Sequence, residues 1–308
     1  MPEENWVQSA FYGALVFLGI LGNILVLLSV VCTAVENHTI PASDLILANL
    51  STINLLLSVF RNAFLFTAEA GLRVLLSAGW CKAFMFLWLL LRTMCVWATF
   101  SLSFFHFLTI RKQRLQMTRS SKGAWSIAKA ITAVWILNFL YSTPALVYSN
   151  HGASNTNFTV MLVSSTTRPL LGCVWSFPSQ HSALLYVTTS LIIHEVIPVI
   201  LMIGTNSCTL YILSKHIRVT GAESMLGRVA AERRAAKVIL FLVLLFIACW
   251  GTNVLAVNYY NFTRGSSMTF LLQVANFGAS LFMAFSPIVL IAGHSKLRRR
   301  LQKMIFCC

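Results

Sequence analysis

Seven apolar runs, each long enough to cross a bilayer as a helix, limit what this chain can fold into. They cover residues of about 7–33, 44–67, 81–110, 125–148, 183–213, 235–260 and 268–293. A spanning helix needs about 20 mostly apolar residues, and the core helices of soluble domains are shorter. The runs and their connections use nearly all of the 308 residues, so no separate soluble domain fits beside them. Charge agrees with this: 10% of residues are charged, against about 25% in a soluble domain. Disorder is excluded, because the chain is too apolar to stay solvated. The expected fold is an all-α membrane protein, one seven-transmembrane helix bundle over residues 1–308 with a tail at 294–308.

Lys and Arg set the orientation. Arg111, Lys112, Arg114, Arg119 and Lys122 lie between runs three and four. Lys215, Arg218, Arg228, Arg233, Arg234 and Lys237 lie between five and six, and Lys296, Arg298, Arg299, Arg300 and Lys303 follow run seven. Basic loops face the cytoplasm, which puts the N-terminus outside. The net charge of +15 is then topology plus attraction to anionic lipid, and nucleic acid is not an expected partner. Met1–Trp6 carries Glu3 and Glu4 and no basic residue, so a removable signal peptide of the usual kind is not expected. Residues 296–306 are basic and apolar, which suits a short amphipathic helix on the inner leaflet. Cys307 and Cys308 behind it are candidates for palmitoylation, or simply two free thiols.

The sequons at Asn157 and Asn261 fall in loops assigned outside and are candidate glycosylation sites. Those at Asn37 and Asn49 fall inside or within a span and should stay bare. Of eight cysteines, Cys32, Cys95, Cys208 and Cys249 lie in or at the ends of apolar runs and read as small buried residues. Cys81 opens run three and Cys173 lies in the long outer loop. These two share the oxidising side, so a Cys81–Cys173 disulfide is expected.

Ionisable residues inside a span are costly and usually face the bundle interior. Arg92 lies about 11 residues past Cys81, or about 16 Å along a helix axis. Glu195 lies about 12 residues into run five, so both arrive near the midplane. Two compatible readings follow. Arg92 and Glu195 pair with each other, or with His194, and hold spans three and five together, or one of them meets a polar ligand in an outward-opening cavity. Arg61 lies near the outer end of run two and is expected to snorkel to the interface. Asp44, the single Asp, starts run two and can cap it. No catalytic set, metal-ligand spacing or phosphate loop is present, so neither an enzyme nor a cofactor is expected. Gly19 and Gly22 permit close helix packing.

Several motifs combine. Gly22-Asn23-Ile24-Leu25-Val26 resembles the first-span signature of rhodopsin-like G-protein-coupled receptors. Asn49 to Leu55 resembles their second span, with Asn54 where most have Asp. Phe246-x-x-Cys249-Trp250 matches the sixth-span switch, with Thr252 where Pro is usual. Ser286-Pro287 stands where Asn-Pro is usual, and Phe105-His106-Phe107 replaces Asp-Arg-Tyr. Together with Pro41 to Leu47, Cys81 through Arg92, Leu102 to Ile110, Tyr211-x-x-x-Lys215-His216 and Glu232 to Ala236, these departures resemble one branch: vomeronasal type-1 receptors and the fish class-A-related olfactory receptors.

The resemblance implies a chemosensory receptor in the plasma membrane of sensory neurons. It would bind a small organic ligand, an acid among the options, and activate a heterotrimeric G protein of the inhibitory type. Candidate ligand-binding residues are Trp88, Arg92, His194, Glu195, Trp250, Tyr259, Gln273 and Asn276. The implied activation switch is Asn54, His106, Trp250 and Pro287, and the implied G-protein contacts are Arg111, Lys112, Arg233 and Arg234. The alternatives are a bitter-taste-type receptor and a transporter or channel. A retinal opsin is not expected, because run seven has no Lys for a Schiff base.

Overall fold

The structure is a computed structural model and describes residues 3–70, 76–114, 123–151, 171–219, 226–263, 268–293, 297–298 and 300–302. Seven helical rods form one bundle. α1 is Glu3–Asn37. α2 is Ala42–Leu57, continued through a π-helical turn, Ser58–Asn62, into Ala63–Glu69. α3 is Ala78–Arg114. α4 is Gly123–Ser142, followed by a turn and Pro144–Tyr148. α5 is Gln180–Leu191, a second π-helical turn, Ile192–Val196, and Ile197–Val219. α6 is Leu226–Thr263 and α7 is Met268–Gly293. Among the described residues, six of these rods are long and apolar enough to cross a membrane, and α7 adds a shorter apolar stretch, Phe277–Gly293.

The apolar runs underestimate the rods. α3 continues to Arg114 and α6 begins at Leu226, well before its apolar run. A helix satisfies its own backbone, so it can continue past the apolar run into water. α3 is the centre of the bundle, packed by α2, α4, α5 and α6. Its apolar window is 67% buried, against 17% for α4 and for α5, whose outer faces are left to lipid. Cys95 and Cys249 are buried as expected, whereas Cys208 is exposed on α5.

Lipid removes the hydrophobic drive between helices, so close packing and polar bonds must hold them together. A Cβ on Gly22 would lie 2.7 Å from Pro287 Cγ, and one on Gly278 would lie 2.8 Å from the Cys249 carbonyl oxygen. Asn23 donates from Nδ2 to the Gly19 and Met283 carbonyls (2.7 and 3.2 Å), tying α1 to α7. Asn54 donates to Ser286 Oγ at 3.0 Å and accepts from Cys95 Sγ at 3.3 Å, joining α2, α3 and α7. Trp135 Nε1 donates to Asn49 Oδ1 at 2.9 Å, so Asn49 is used within the bundle. Gly278→Val is expected to destabilise the receptor by about 1–3 kcal/mol, because backbone cannot yield as a flexible side chain does. Thermal unfolding in detergent measures it, with Gly204→Val, where an added Cβ meets nothing within 4 Å, as the control.

Two expectations are corrected. Arg61 does not snorkel: it is 1% exposed, held on the π-helical turn of α2. Its Nη1 donates to Asn62 Oδ1 (2.6 Å) and Ser280 Oγ (3.1 Å), and its guanidinium lies 4.6 Å from the Trp88 ring centroid. The extra residue of a π turn swings the side chain inward, where α7 supplies the oxygens. Asp44 caps nothing: the N-cap is Pro41, without a side-chain bond. Asp44 is instead buried and takes Arg300 Nη1 at 3.3 Å, which fastens the tail to the start of α2. Residues 297–298 and 300–302 are helical, with Leu297 and Leu301 buried against the bundle.

The long outer loop supplies a feature that was not expected. β1 (Ser149–His151) pairs antiparallel with β2 (Cys173–Trp175), with His151 opposite Cys173. The Cys81–Cys173 disulfide is formed and anchors β2 to the outer end of α3. Asn157, Cys307 and Cys308 lie outside the described residues, while Asn261 falls in the last turn of α6.

Candidate ligand-binding site

Arg92 projects from the middle of α3 and Glu195 from the π-helical turn of α5. Arg92 Nη2 meets Glu195 Oε1 at 2.5 Å, and the two residues are 1% and 9% exposed. Pro198 lies just beyond that turn and has no N–H, so it leaves the His194 carbonyl four residues back without a bond from it. The turn aims both His194 and Glu195 at α3. A carboxylate and a guanidinium buried together must satisfy each other, since neither is tolerated alone in a medium of low dielectric. The Arg92 guanidinium also lies 4.7 Å from the Trp250 ring centroid, which adds a cation–π contact from α6.

His194 Nδ1 accepts from Trp97 Nε1 at 3.2 Å, which leaves Nε2 to carry the proton in the neutral ring. The imidazole also packs on Tyr141, with ring centroids 4.1 Å apart. From Tyr141 a column of rings runs outward. Tyr141 stacks on Tyr186 at 5.4 Å, Tyr186 meets Trp175 at 5.6 Å, and Trp175 stacks on Phe177 at 5.4 Å. Trp175 belongs to β2, so the disulfide-anchored strand is coupled to the site by aromatic packing.

A cavity of about 290 Å3 opens beside the ion pair. Arg92, His194, Glu195 and Trp250 are the polar and indole side chains among its lining residues. Val96, Val199, Phe246 and Val254 are among its apolar walls. Its size is at the small end of the range of about 300–1,000 Å3 usual for ligand sites. Three buried donors on these lining residues have no acceptor among the described residues: Arg92 Nε, His194 Nε2 and Trp250 Nε1. An orphaned buried donor costs about 1–3 kcal/mol, and these three atoms are covered by their neighbours, so the surface the cavity presents is almost wholly apolar.

Four of the eight sequence candidates are thus brought together: Arg92, His194, Glu195 and Trp250. Trp88 shares a helix face with Arg92 but packs on Arg61 and does not line this cavity. Tyr259 is 58% exposed on the outside of α6. The side chains of Gln273 and Asn276 lie outside the described residues. Asn54 is buried at the α2–α7 contact and Pro287 is buried beside Gly22 of α1, and Trp250 reaches α7 through Phe246, which packs on Phe282 with centroids 5.2 Å apart. His106 is half-buried near the inner end of α3. Arg111 and Arg234 are exposed at the inner end of the bundle, and the side chains of Lys112 and Arg233 lie outside the described residues. Sequence reasoning missed the apolar wall. A sign was present in Leu191, Glu195 and Val199, spaced by four on one helix face, but such spacing also marks ordinary packing.

Comparison with known proteins gives a consistent result. Residues 6–303 match the family model for the vomeronasal organ pheromone receptor family. The zebrafish (Danio rerio) protein named olfactory receptor class A-like protein 4 is 43% identical over 320 aligned residues, covering 100% of this chain and 92% of that protein. The zebrafish olfactory receptor class A-like protein 1 is 26% identical over 289 residues, covering 92% and 88%.

Proposed function

The chain belongs to the vomeronasal organ pheromone receptor family, and on that premise we propose that it binds a small acceptor-bearing organic molecule, an organic acid above all, beside the Arg92–Glu195 pair. It is a multi-pass chemosensory G-protein-coupled receptor. The observation that carries the ligand reading is the set of three buried donors, without acceptors among the described residues, on side chains that line one cavity. A ligand carboxylate would accept from Arg92 Nε, His194 Nε2 and Trp250 Nε1 once these side chains turn toward the cavity, and it would compete with Glu195 for the guanidinium. Charge-assisted bonds of this kind contribute about 1.5–3 kcal/mol each.

The signal follows from two-state packing. Trp250 sits between the ion pair and Phe246, and Phe246 packs on Phe282 of α7. A ligand that draws Arg92 away from its resting contacts favours a second packing of Trp250 and Phe246. It can shift the balance only by its difference in affinity for the two states. α6 then swings at its inner end and opens a cleft for a helix of an inhibitory-type G protein, bordered by Arg111, Lys112, Arg233 and Arg234. Thr252 replaces the usual Pro, so α6 bends without a missing backbone donor at that point. The receptor acts at the plasma membrane of sensory neurons.

A screen in cells that report inhibition of cAMP, using acids, amines, steroids and bile salts, tests this. Agonists should be acids or other strong acceptors. Arg92→Gln, compared at matched surface level, should lose at least about 10-fold in potency toward acids. Wild-type potency for every acid would overturn the reading.

A further inference from the structure

We infer that ligands reach this cavity sideways, out of the lipid, through the seam between α5 and α6. They are therefore amphiphiles, an apolar body carrying one carboxylate head. The inference rests on the ligand site proposed above and adds its route and the character of the ligand body.

The cavity is lined by Arg92, His194, Glu195 and Trp250 together with Val196 and Ile200 of α5 and Ile247, Gly251 and Val254 of α6, and the surface it presents is almost wholly apolar. Val196 and Ile200 are 43% and 62% exposed, so they belong at once to the cavity rim and to the outer surface of the bundle. That surface is apolar: Ile193, Ile197 and Ile203 are exposed on the same helix. α5 and α6 touch each other sparsely, while α5 packs closely on α3 and α6 on α7. Gly251 widens the seam further, since a Cβ built there would meet nothing within 4 Å. A cavity rim at the level of the hydrocarbon draws its solutes from the hydrocarbon.

The outer approach on the α4–α5 side is filled. Phe177, Trp175, Tyr186, Tyr141 and His194 stand in ring-to-ring contact from the loop down to the site, and the disulfide anchors the strand that carries Trp175. A water-borne solute on that side would have to part this column. A lipid-borne one meets only Val, Ile and Gly. The orphaned donors fix the head as an acceptor, and the apolar rim fixes the body as one that partitions into the bilayer. Decanoate is the simplest probe with both properties, and propanoate has the same head without the body.

Route and site separate kinetically. Narrowing a passage slows entry and exit together, whereas weakening a site raises the exit rate alone. The receptor, reconstituted in phosphatidylcholine nanodiscs, is mixed with radiolabelled decanoate, and binding to empty discs is subtracted. Gly251→Leu and Ile200→Trp add bulk on the two lips. Gly251→Leu also replaces the poorest helix former but Pro, and Ile200 faces outward, so both variants should fold, as thermal unfolding verifies. Each is expected to slow association and dissociation by at least about fivefold, with affinity changed much less. Propanoate should fail to compete even at 100-fold excess. The double variant Arg92→Gln, Glu195→Gln should speed dissociation without slowing association. Wild-type association in both lip variants, with the double variant still impaired, would overturn the lateral route and leave the site standing. Decanoate binding unchanged in the double variant would overturn the site, and the route with it.

Discussion

Replacing Glu195 with Ala is expected to destabilise the receptor by about 3–5 kcal/mol, because it leaves the Arg92 guanidinium buried and uncompensated. Arg92 is 1% exposed, and the 2.5 Å contact to Glu195 is its ion pair among the described residues. The Trp250 face would remain, yet a cation–π contact offsets only about 2 kcal/mol of such a loss. The measurement is surface abundance by labelling an outer tag, together with thermal unfolding in detergent. The double variant Arg92→Leu, Glu195→Leu removes both charges and should recover most of the abundance, since an apolar pair of similar volume often matches a buried ion pair. It should not recover the response to acids, because the cation and its Nε donor are gone. This split tells a structural strut from a ligand contact. If the single variant matched wild type in abundance and stability, the pair would not be the buried strut described, and Arg92 would have to find another anion.

The bundle was legible because the bilayer leaves a chain few choices. Seven apolar runs give the helices without any tertiary information, and the expected Cys81–Cys173 disulfide is formed. The meeting of Arg92 and Glu195 was legible from depth alone, since two helices entering from one side place like offsets at like heights. Rotation about a helix axis was not legible. Arg61 lies near the outer end of its apolar run, but the π-helical turn directs it into the bundle toward Ser280. No local pattern announces such a turn, because its extra residue is stabilised by partners on other helices. Trp88 fell short for a related reason. It shares a face with Arg92, but the two rings that accept the two guanidinium groups are chosen by neighbours from α2 and α6, which sequence spacing on α3 does not contain. The pairing of β1 with β2 was hidden as well, since three-residue strands carry no periodicity to read.

Removing the disulfide should be nearly as costly as removing Glu195, and in a different way. Cys81 and Cys173 are 92 residues apart in sequence, and releasing a closed loop of that length costs about 4–5 kcal/mol in chain-entropy terms. Cys81→Ser and Cys173→Ser should therefore lower surface abundance to similar degrees, and the double variant should be no worse than either, because all three lose the same bond. The readout is surface labelling, with a thiol-reactive probe showing one new free cysteine in each single variant. Receptor that still reaches the surface should also respond poorly. β2 carries Trp175, and Trp175 leads through Tyr186 and Tyr141 to His194, so a released strand unsettles the rings that hold the imidazole beside the cavity. Potency should fall even when abundance is matched. Two single variants with clearly different abundance would refute the shared-bond account, and equal abundance with full potency would show that the aromatic column holds its shape without its anchor.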